Sequence, residues 1–513
     1  MNLLNLLNLL EMAAEGSADR VAVGSLQGGL SYRELYDRAH AAAGRFRASE
    51  GERVVLCDES SPAVPIALFG AAAAGMPYVP LNYRLADEDL RALAQRNAPG
   101  VAITDDLGAV RLAAVQGLET MTRREFLEDL QRKRVPSAEA ERPADPEAIA
   151  VLLYTSGTTG DPKAAVLRHR HLVSYVLGSV EFMGAAPDEA TIVSVPPYHV
   201  AGVAAMLSSV YAGRRIVQLP SFDPDVWIDT VETEQVTHAM VVPTMLARIV
   251  EALDARGSEP MLGLRALSYG GGRMPLPVIT RALELFPITS FANAYGLTET
   301  SSTVAVLGPD DHRLAQYSEE PAVQRRLAST GLPLPGVELS IRDETGEEVP
   351  VGETGEIFVR GEQVSGEYLE AASPLVNGWF PTRDGGFIDE AGYLFVQGRN
   401  DDVIIRGGEN MSPGEIEDVL LTHPAVKEAA AIGVADERWG EKVVAVIVLA
   451  DDAAETGAEV NAGEIQALVR RRLRSSRVPA HVVAVDELPY NDTGKLLRRV
   501  LRAQHSHLGE PDG

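Results

Sequence analysis

The tightest constraint on this chain is a ten-residue stretch, 154–163, reading YTSGTTGDPK directly after the apolar run 149–153. An apolar run of that length needs a sheet to bury in, and here it feeds a loop rich in glycine and hydroxyl groups that ends on a lysine. Gly157 and Gly160 let the backbone approach an anion closely. Loop N–H groups, the hydroxyls of Thr155, Ser156, Thr158 and Thr159, and the Lys163 ammonium supply donors and positive charge. The combination reads as a strand running into a phosphate-holding loop. It is not a Walker A loop, which needs four residues between its glycines and then Lys-Ser/Thr; here two residues separate Gly157 from Gly160, and Pro162-Lys163-Ala164 follows. The kinase and GTPase classes are thereby disfavoured. By themselves the same residues also describe a Gly/Thr-rich surface turn, so the weight falls on what lies downstream.

A chain of 513 residues is too long for one core and divides into about two to four domains or subdomains. Its formal net charge of −27 argues against sequence-independent binding of nucleic acid and against an anionic membrane surface. A polyanionic ligand must therefore be held by local cations. Cys57 is the only cysteine, which excludes an intramolecular disulfide or a thiolate metal cluster and fits a reducing, cytoplasmic setting. The opening MNLLNLLNLLEMAAE has leucine pairs every three residues but neither a basic n-region nor a small-residue cleavage site, and reads as a helix packed on the body. The longest apolar stretch, 63–76, is interrupted by Gly70 and Gly75 and falls short of the ~20 residues of a membrane span. It predicts a buried helix.

From 22 to about 130, short β-like runs alternate with helical patterns, which indicates parallel α/β construction. The proline-rich, charged segment 134–147 is a connector. His169 and His171 begin a helix, and 191–197 reads as a strand ending at Tyr198-His199, where α/β sheets bind ligands, before a flexible Ala201-Gly202. His199 alone reads better as a structural histidine. Two more strand-like runs, 237–242 and 264–269, end at Pro243-Thr244 and at Gly270-Gly271-Gly272, where backbone can lie against a flat ring. In 293–300, NAYGLTET, Glu299 with Thr298 suits a magnesium ion bridging phosphate oxygens, and serves equally as a helix cap.

Runs 352–359 and 392–396 form a smaller β region, with TRDGG at 382–386 and GRNDD at 398–402 read as turns. Asp384 could accept two ribose hydroxyls and Arg399 could add charge-assisted bonds, but as isolated turns both segments would pass unnoticed. Beyond Asp402 come RGGEN at 406–410, a helix from Ser412-Pro413, a strand at 443–449 and a helix at 462–473. These make a second domain of about 110 residues. Lys495 stands beside Gly494 near its end, in NDTGK. There is no internal repeat.

Taken in order, YTSGTTGDPK, VPPYHVAG, YGLTET, the Asp384 segment, GRNDDVIIRGGENMSPGEIE and NDTGK resemble the adenylate-forming (ANL) superfamily of acyl-CoA synthetases, peptide-synthetase adenylation domains and luciferases. The resemblance runs from about residue 31 to 499. It implies an α/β fold with a large domain, residues 1–400, of two α/β sheet subdomains plus a smaller β-barrel-like region. A small, mobile α+β domain, residues 401–513, would carry the catalytic lysine. The implied chemistry is an acid–CoA ligase: a carboxylate attacks Mg·ATP to give acyl-AMP and pyrophosphate, the small domain rotates, and the thiol of coenzyme A displaces AMP.

By that resemblance Thr155, Ser156, Gly157, Thr158, Thr159, Gly160 and Lys163 hold the β/γ-phosphates, Thr298 the α-phosphate, and Glu299 the Mg²⁺. Gly271, Gly272 and Tyr295 flank the adenine, while Asp384 and Arg399 bind the ribose. Lys495 neutralises charge developing between carboxylate and α-phosphate, with His199 grouped beside it. Tyr198, His199, Val203, Met245, Tyr269, Gly270, Gly296 and Ser301 line the acyl pocket. Gly407, Gly408, Glu409 and Trp439 meet the thiol arm, with Trp439 equally placed as a core aromatic, and Asp401 is the hinge.

The chain departs from the family pattern at Ala164, Gly272-Arg273, Arg383 and Tyr490, and Arg273 bears on the polarity of the acyl pocket. The mostly apolar or small pocket set favours an aromatic or medium-chain acid; a dicarboxylate would want a pocket cation, for which Arg273 and His199 are the candidates. Partners are then the acid, ATP and CoA, without nucleic acid or membrane insertion, and a homodimer is compatible with the sequence. The alternative is an adenylating enzyme with another acceptor: a carrier-protein thiol, an amine, or an aryl amine meeting AMP-activated nitrite. A non-catalytic adenylate-binding protein is disfavoured by the presence of Lys495 and Glu299.

Overall fold

The computed structural model describes residues 5–132, 145–155, 162–257, 259–450, 461–491 and 494–509. Its fold is mixed α/β in four sheets. A six-stranded sheet runs Leu118–Thr122, Gly100–Thr104, Arg53–Cys57, Tyr78–Pro80, Ile149–Thr155, Lys163–Arg168. Its first five strands are parallel, as the α/β alternation predicts, and the last pair is an antiparallel hairpin. A nine-stranded sheet is parallel through its centre and antiparallel at both edges. The Val21–Ser25 and Gly28–Ser31 hairpin joins this second sheet, not the first.

Side-chain alternation sorts the core. In Arg53–Cys57, Val54 and Leu56 face a cluster that takes in both large sheets, while Val55 and Cys57 face a separate cluster with Leu90, Leu93 and Leu112. Between the sheets lies the helix Ala63–Ala74, every residue of which is buried, as an unbroken apolar run requires. The leucine-paired N-terminus is the helix Leu6–Gly16, capped reciprocally by Asn5 and Asn8 and burying Leu6, Leu7, Leu9 and Leu10. No helix among the described residues is long and apolar enough to cross a membrane.

The smaller β region is a four-stranded antiparallel sheet, Val337–Arg342, Gly355–Gly361, Phe380–Ile388, Leu394–Arg399. A second α/β unit follows, built on the paired strands Val426–Asp436 and Gly440–Leu449 with the helices Pro413–Leu420, Ala462–Arg472 and Arg498–His505. Ser412 is the N-cap residue and Pro413 the first helical residue, as expected.

Local readings fail in three places. The strand expected over 191–197 is only Ala190–Val193, because Pro196 and Pro197 lack the N–H that would extend a ladder. Ala201 and Gly202 are helical; a Cβ at Gly202 would come 2.6 Å from the Pro196 carbonyl oxygen, so close packing explains the glycine. Residues 382–386, read as a turn, lie inside the nine-residue strand Phe380–Ile388, whose register shifts at Gly385/Gly386 and whose Arg383 has φ +61°. Alanine-rich Val426–Asp436, for which the sequence offered no reading, is an eleven-residue strand.

Candidate active site

The carboxyl ends of the central parallel strands, the Asp384 and Arg399 strands and the small domain enclose a cleft of about 1080 Å³. Of the residues singled out from sequence, Gly271, Gly272, Tyr295 and Gly296 line it from the nine-stranded sheet, with Met245 beside them. Asp384, Arg399 and Lys495 line it from the other side.

Asp384, only 7 % exposed, is the anchor of one corner. The Tyr295 hydroxyl donates to its Oδ2 at 2.7 Å, and the Arg399 Nε lies 3.0 Å from its Oδ1. Arg399 also donates from Nη1 to the Thr382 carbonyl at 3.0 Å. Burial and the neighbouring carboxylate push the Tyr295 phenol well above its ordinary pKa, so it stays a donor. Spare lone pairs of Asp384 and spare guanidinium protons of Arg399 remain for a vicinal diol. Tyr295, expected against the adenine, is thus also a brace for Asp384.

Lys495 enters from the small domain on a turn closed by bonds of Asn491 N to Lys495 O and Gly494 N to Asn491 O, 2.9 and 2.8 Å. Gly494 has φ +70°, and a Cβ there would lie 2.0 Å from Thr244 Oγ1, so only glycine brings this turn so close to Thr244. Burial, then Arg399, holds the Lys495 ammonium below its ordinary pKa; Asp384 and Asp402 oppose that shift.

On the phosphate side the described residues include Thr155 and Lys163, paired across the hairpin that closes the loop; Ser156, Gly157, Thr158, Thr159 and Gly160 lie outside them. Lys163 Nζ sits 5.7 Å from the ring centroid of Tyr368, whose hydroxyl donates at 2.6 Å to Glu299 Oε1. Sequence reading missed Tyr368, which carries no motif. Thr298 and Glu299 belong to a three-residue 3₁₀ turn, and the Glu299 carbonyl accepts from Ser365 and Gly366. Magnesium fits Glu299: one buried carboxylate, with no cluster of three acidic, His or Cys groups among the described residues, suits an ion that takes its other ligands from phosphate and water.

Several residues expected in the acyl pocket stand elsewhere. Tyr269 is fully buried, its hydroxyl 2.9 Å from His312 Nε2. Val203 is in the core. A Cβ at Gly270 would lie 2.2 Å from the Ala294 carbonyl oxygen, so this glycine serves strand pairing; Gly296 lines the cleft and is packed as tightly, a Cβ there lying 1.8 Å from the Ser302 carbonyl oxygen. His199 is the residue just before the helix Val200–Ala212 and its side chain makes no capping bond there, and Tyr198 packs on the cleft-lining Tyr83, ring centroids 5.6 Å apart. Ser301 is buried with φ +57° and does not line the cleft. Arg273, expected to set the polarity of the acyl pocket, turns its guanidinium to the small domain, while Arg84 and Arg248 line the cleft without having been noticed in the sequence.

Gly407 and Gly408, φ +62° and +80°, form the two-residue turn of a hairpin, and Glu409 is ion-paired with Arg477. Gly407 N donates to the Trp439 carbonyl at 2.6 Å. Trp439 is 44 % exposed, which rules out the core-aromatic reading. None of these four lines the cleft. Asp401 lies in the short turn Asn400–Asp402 between the two units.

The AMP-binding enzyme family matches residues 10–369, and the AMP-binding enzyme C-terminal domain matches 415–495. The chain is 33 % identical to a 2-succinylbenzoate–CoA ligase of Bacillus pumilus (strain SAFR-032), covering 92 % of this chain and 93 % of that protein. It is 32 % identical, over the same shares, to a feruloyl-CoA synthase of an Amycolatopsis species. Among solved structures, o-succinylbenzoate CoA synthetase (MenE) from Bacillus subtilis, in complex with the acyl-adenylate intermediate OSB-AMP, superposes with a TM-score of 0.82 at 28 % identity, over 96 % of this chain and 98 % of that one.

Proposed function

We infer the following from the premise that the chain belongs to the AMP-binding enzyme family: it is an AMP-forming acid–CoA ligase that acts on an aromatic or medium-chain carboxylic acid. The observation that carries this reading is Lys495, lining one cleft with Asp384, Arg399 and the Gly271-Gly272 turn. A carboxylate oxygen is a poor leaving group until it is joined to phosphate. As it attacks the α-phosphorus of ATP, negative charge gathers between acid and phosphate, where the Lys495 ammonium can neutralise it. Asp384 and Arg399 hold the ribose, and Lys163 with the hydroxyl loop holds the departing pyrophosphate. Bound magnesium, held by Glu299, would draw off phosphate charge.

In the second step the small domain, taken as residues 401–513, turns about Asp401 and brings Gly407, Gly408, Glu409 and Trp439 to the acyl-adenylate. The CoA thiolate attacks the acyl carbon, AMP leaves, and a thioester results. The cytoplasm suits this chemistry.

Arg248 favours a narrower second reading. It lines the cleft, lies 5.2 Å from the Phe222 ring centroid and makes no ion pair among the described residues. An aryl acid with a second anionic group would satisfy both ring and guanidinium.

The test is acid-dependent pyrophosphate release with Mg·ATP across aryl, medium-chain and dicarboxylic acids, with and without CoA, and with Lys495→Ala as control. Release multiplied by CoA, with a thioester seen by mass spectrometry, supports the ligase. Release without a thioester moves the acceptor elsewhere. A preferred dicarboxylic acid whose KM rises in Arg248→Met supports the second reading.

A further inference from the structure

Arg273 follows the cleft glycines directly, and its guanidinium crosses to the small domain. Nη1 donates to the Gly414 carbonyl at 2.5 Å and Nη2 to the Asp418 carboxylate. These partners sit four residues apart, on one face of the Pro413–Leu420 helix. The planar fork thus holds a carbonyl and a carboxylate at once, which a lysine's point charge does less well. Space for it depends on glycine: a Cβ at Gly414 would meet Nη1 at 2.5 Å, Cζ at 2.6 Å and Nε at 2.7 Å. Other contacts cross the same boundary, from Ser412 Oγ to the Gln397 carbonyl at 2.7 Å and from Lys427 to Glu251 at 3.8 Å. The Arg273 contact ties the Gly271-Gly272 turn itself to the domain that carries Lys495.

We propose that Arg273 is a positioning residue: by clasping Gly414 and Asp418 it holds the small domain in the pose that seats Lys495 beside Asp384, favouring adenylation over thioester formation. This rests on the two-step reading above. A contact made in only one of two poses shifts their populations by its own free energy. For a partly exposed ion pair that amounts to a change of about fivefold.

Two variants test it, because either side of the clasp can be removed. Arg273→Ala deletes the guanidinium; Gly414→Ala evicts it while suiting the helix better than glycine does. Spin labels on Glu344→Cys and Arg474→Cys, both exposed, report the pose without any substrate, and the native Cys57 is buried and will not label. Both variants should shift the inter-label distances away from the wild-type distribution, and the double variant should shift them no further. In rapid kinetics, adenylation should slow about fivefold while thioester formation from preformed acyl-adenylate is unchanged or faster, with KM for ATP and acid held. Arg273→Lys should recover part of the loss.

Unchanged distances overturn the proposal. So does an equal fall in both steps with a lowered Tm, which marks a merely structural residue, or a raised KM alone, which marks a substrate contact. Should the wild type form no adenylate with any acid, the ligase reading fails, while the distances still decide the clasp.

Discussion

The small domain presents two candidate functional faces, and they differ in what they meet. Lys495 lines the cleft near Asp384, Arg399 and Asp402, on a turn pressed against Thr244. The hairpin of Gly407 and Gly408, with Trp439, stands outside it, and the indole is 44 % exposed. A large aromatic at a glycine turn, left in water, gains nothing from burial where it stands. Its placement makes sense for a face that docks in the other pose. One rigid unit cannot bring both faces to a single cleft at once.

Substitutions that hit one face only should break this contrast or sharpen it. The largest effect is expected from Lys495→Ala: adenylation should fall on the order of a hundredfold or more, as for loss of a group aimed at transition-state charge. Thioester formation from chemically supplied acyl-adenylate should stay within a few-fold. Trp439→Ala should do the reverse, slowing the thioester step roughly tenfold, as for loss of an aromatic contact residue, and sparing pyrophosphate exchange. If both variants damage both steps alike, the two faces are not separate.

A titration sharpens the same point. Burial lowers the Lys495 pKa, so the ammonium is lost at a lower pH than for a free lysine, and adenylation should decline on the alkaline side below the usual lysine value. Asp384→Asn removes a group that raises this pKa and should move the decline to still lower pH. The thioester step should show neither change.

The smallest effect compares the domains under acid. His169 and His238, both lowered to about 4, and His171, lowered to about 3, are all in the large domain and kept neutral chiefly by burial. Leu6 N donates to His169 Nδ1 at 3.2 Å, which ties the N-terminal helix to that neutral ring. Because their folded pKa values lie below the unfolded value near 6.5, their contribution is present above pH 6.5 and is lost as pH falls from about 6.5 toward 4. The loss should be visible as a fall in the Tm of the large domain before the small one.

What was legible is local: the glycine and hydroxyl run 154–163, Asp384 and the lysine beside Gly494 each stand out within a few adjacent residues, and the order of such motifs along the chain marked the family. Tyr368 was invisible for the opposite reason: its bond to Glu299 spans 69 positions, and a lone tyrosine has no pattern. Tyr269, placed in the acyl pocket by the family resemblance, is instead fully buried, and its hydroxyl is satisfied inside by His312. Residues 382–386 misled because two glycines and an aspartate favour a turn locally, and the ladders on both sides overrode that preference.

The sequence alone determined the α/β architecture, the chemical groups available, and the division into a large unit and a small one, since periodicity, glycine placement and residue type are properties of short segments. Only the tertiary structure decided which glycines face the cleft, that Arg273 reaches Gly414 and Asp418, and which face of the small domain lines the cleft. These depend on groups brought together across hundreds of residues, and burial, pKa and packing exist only once that has happened.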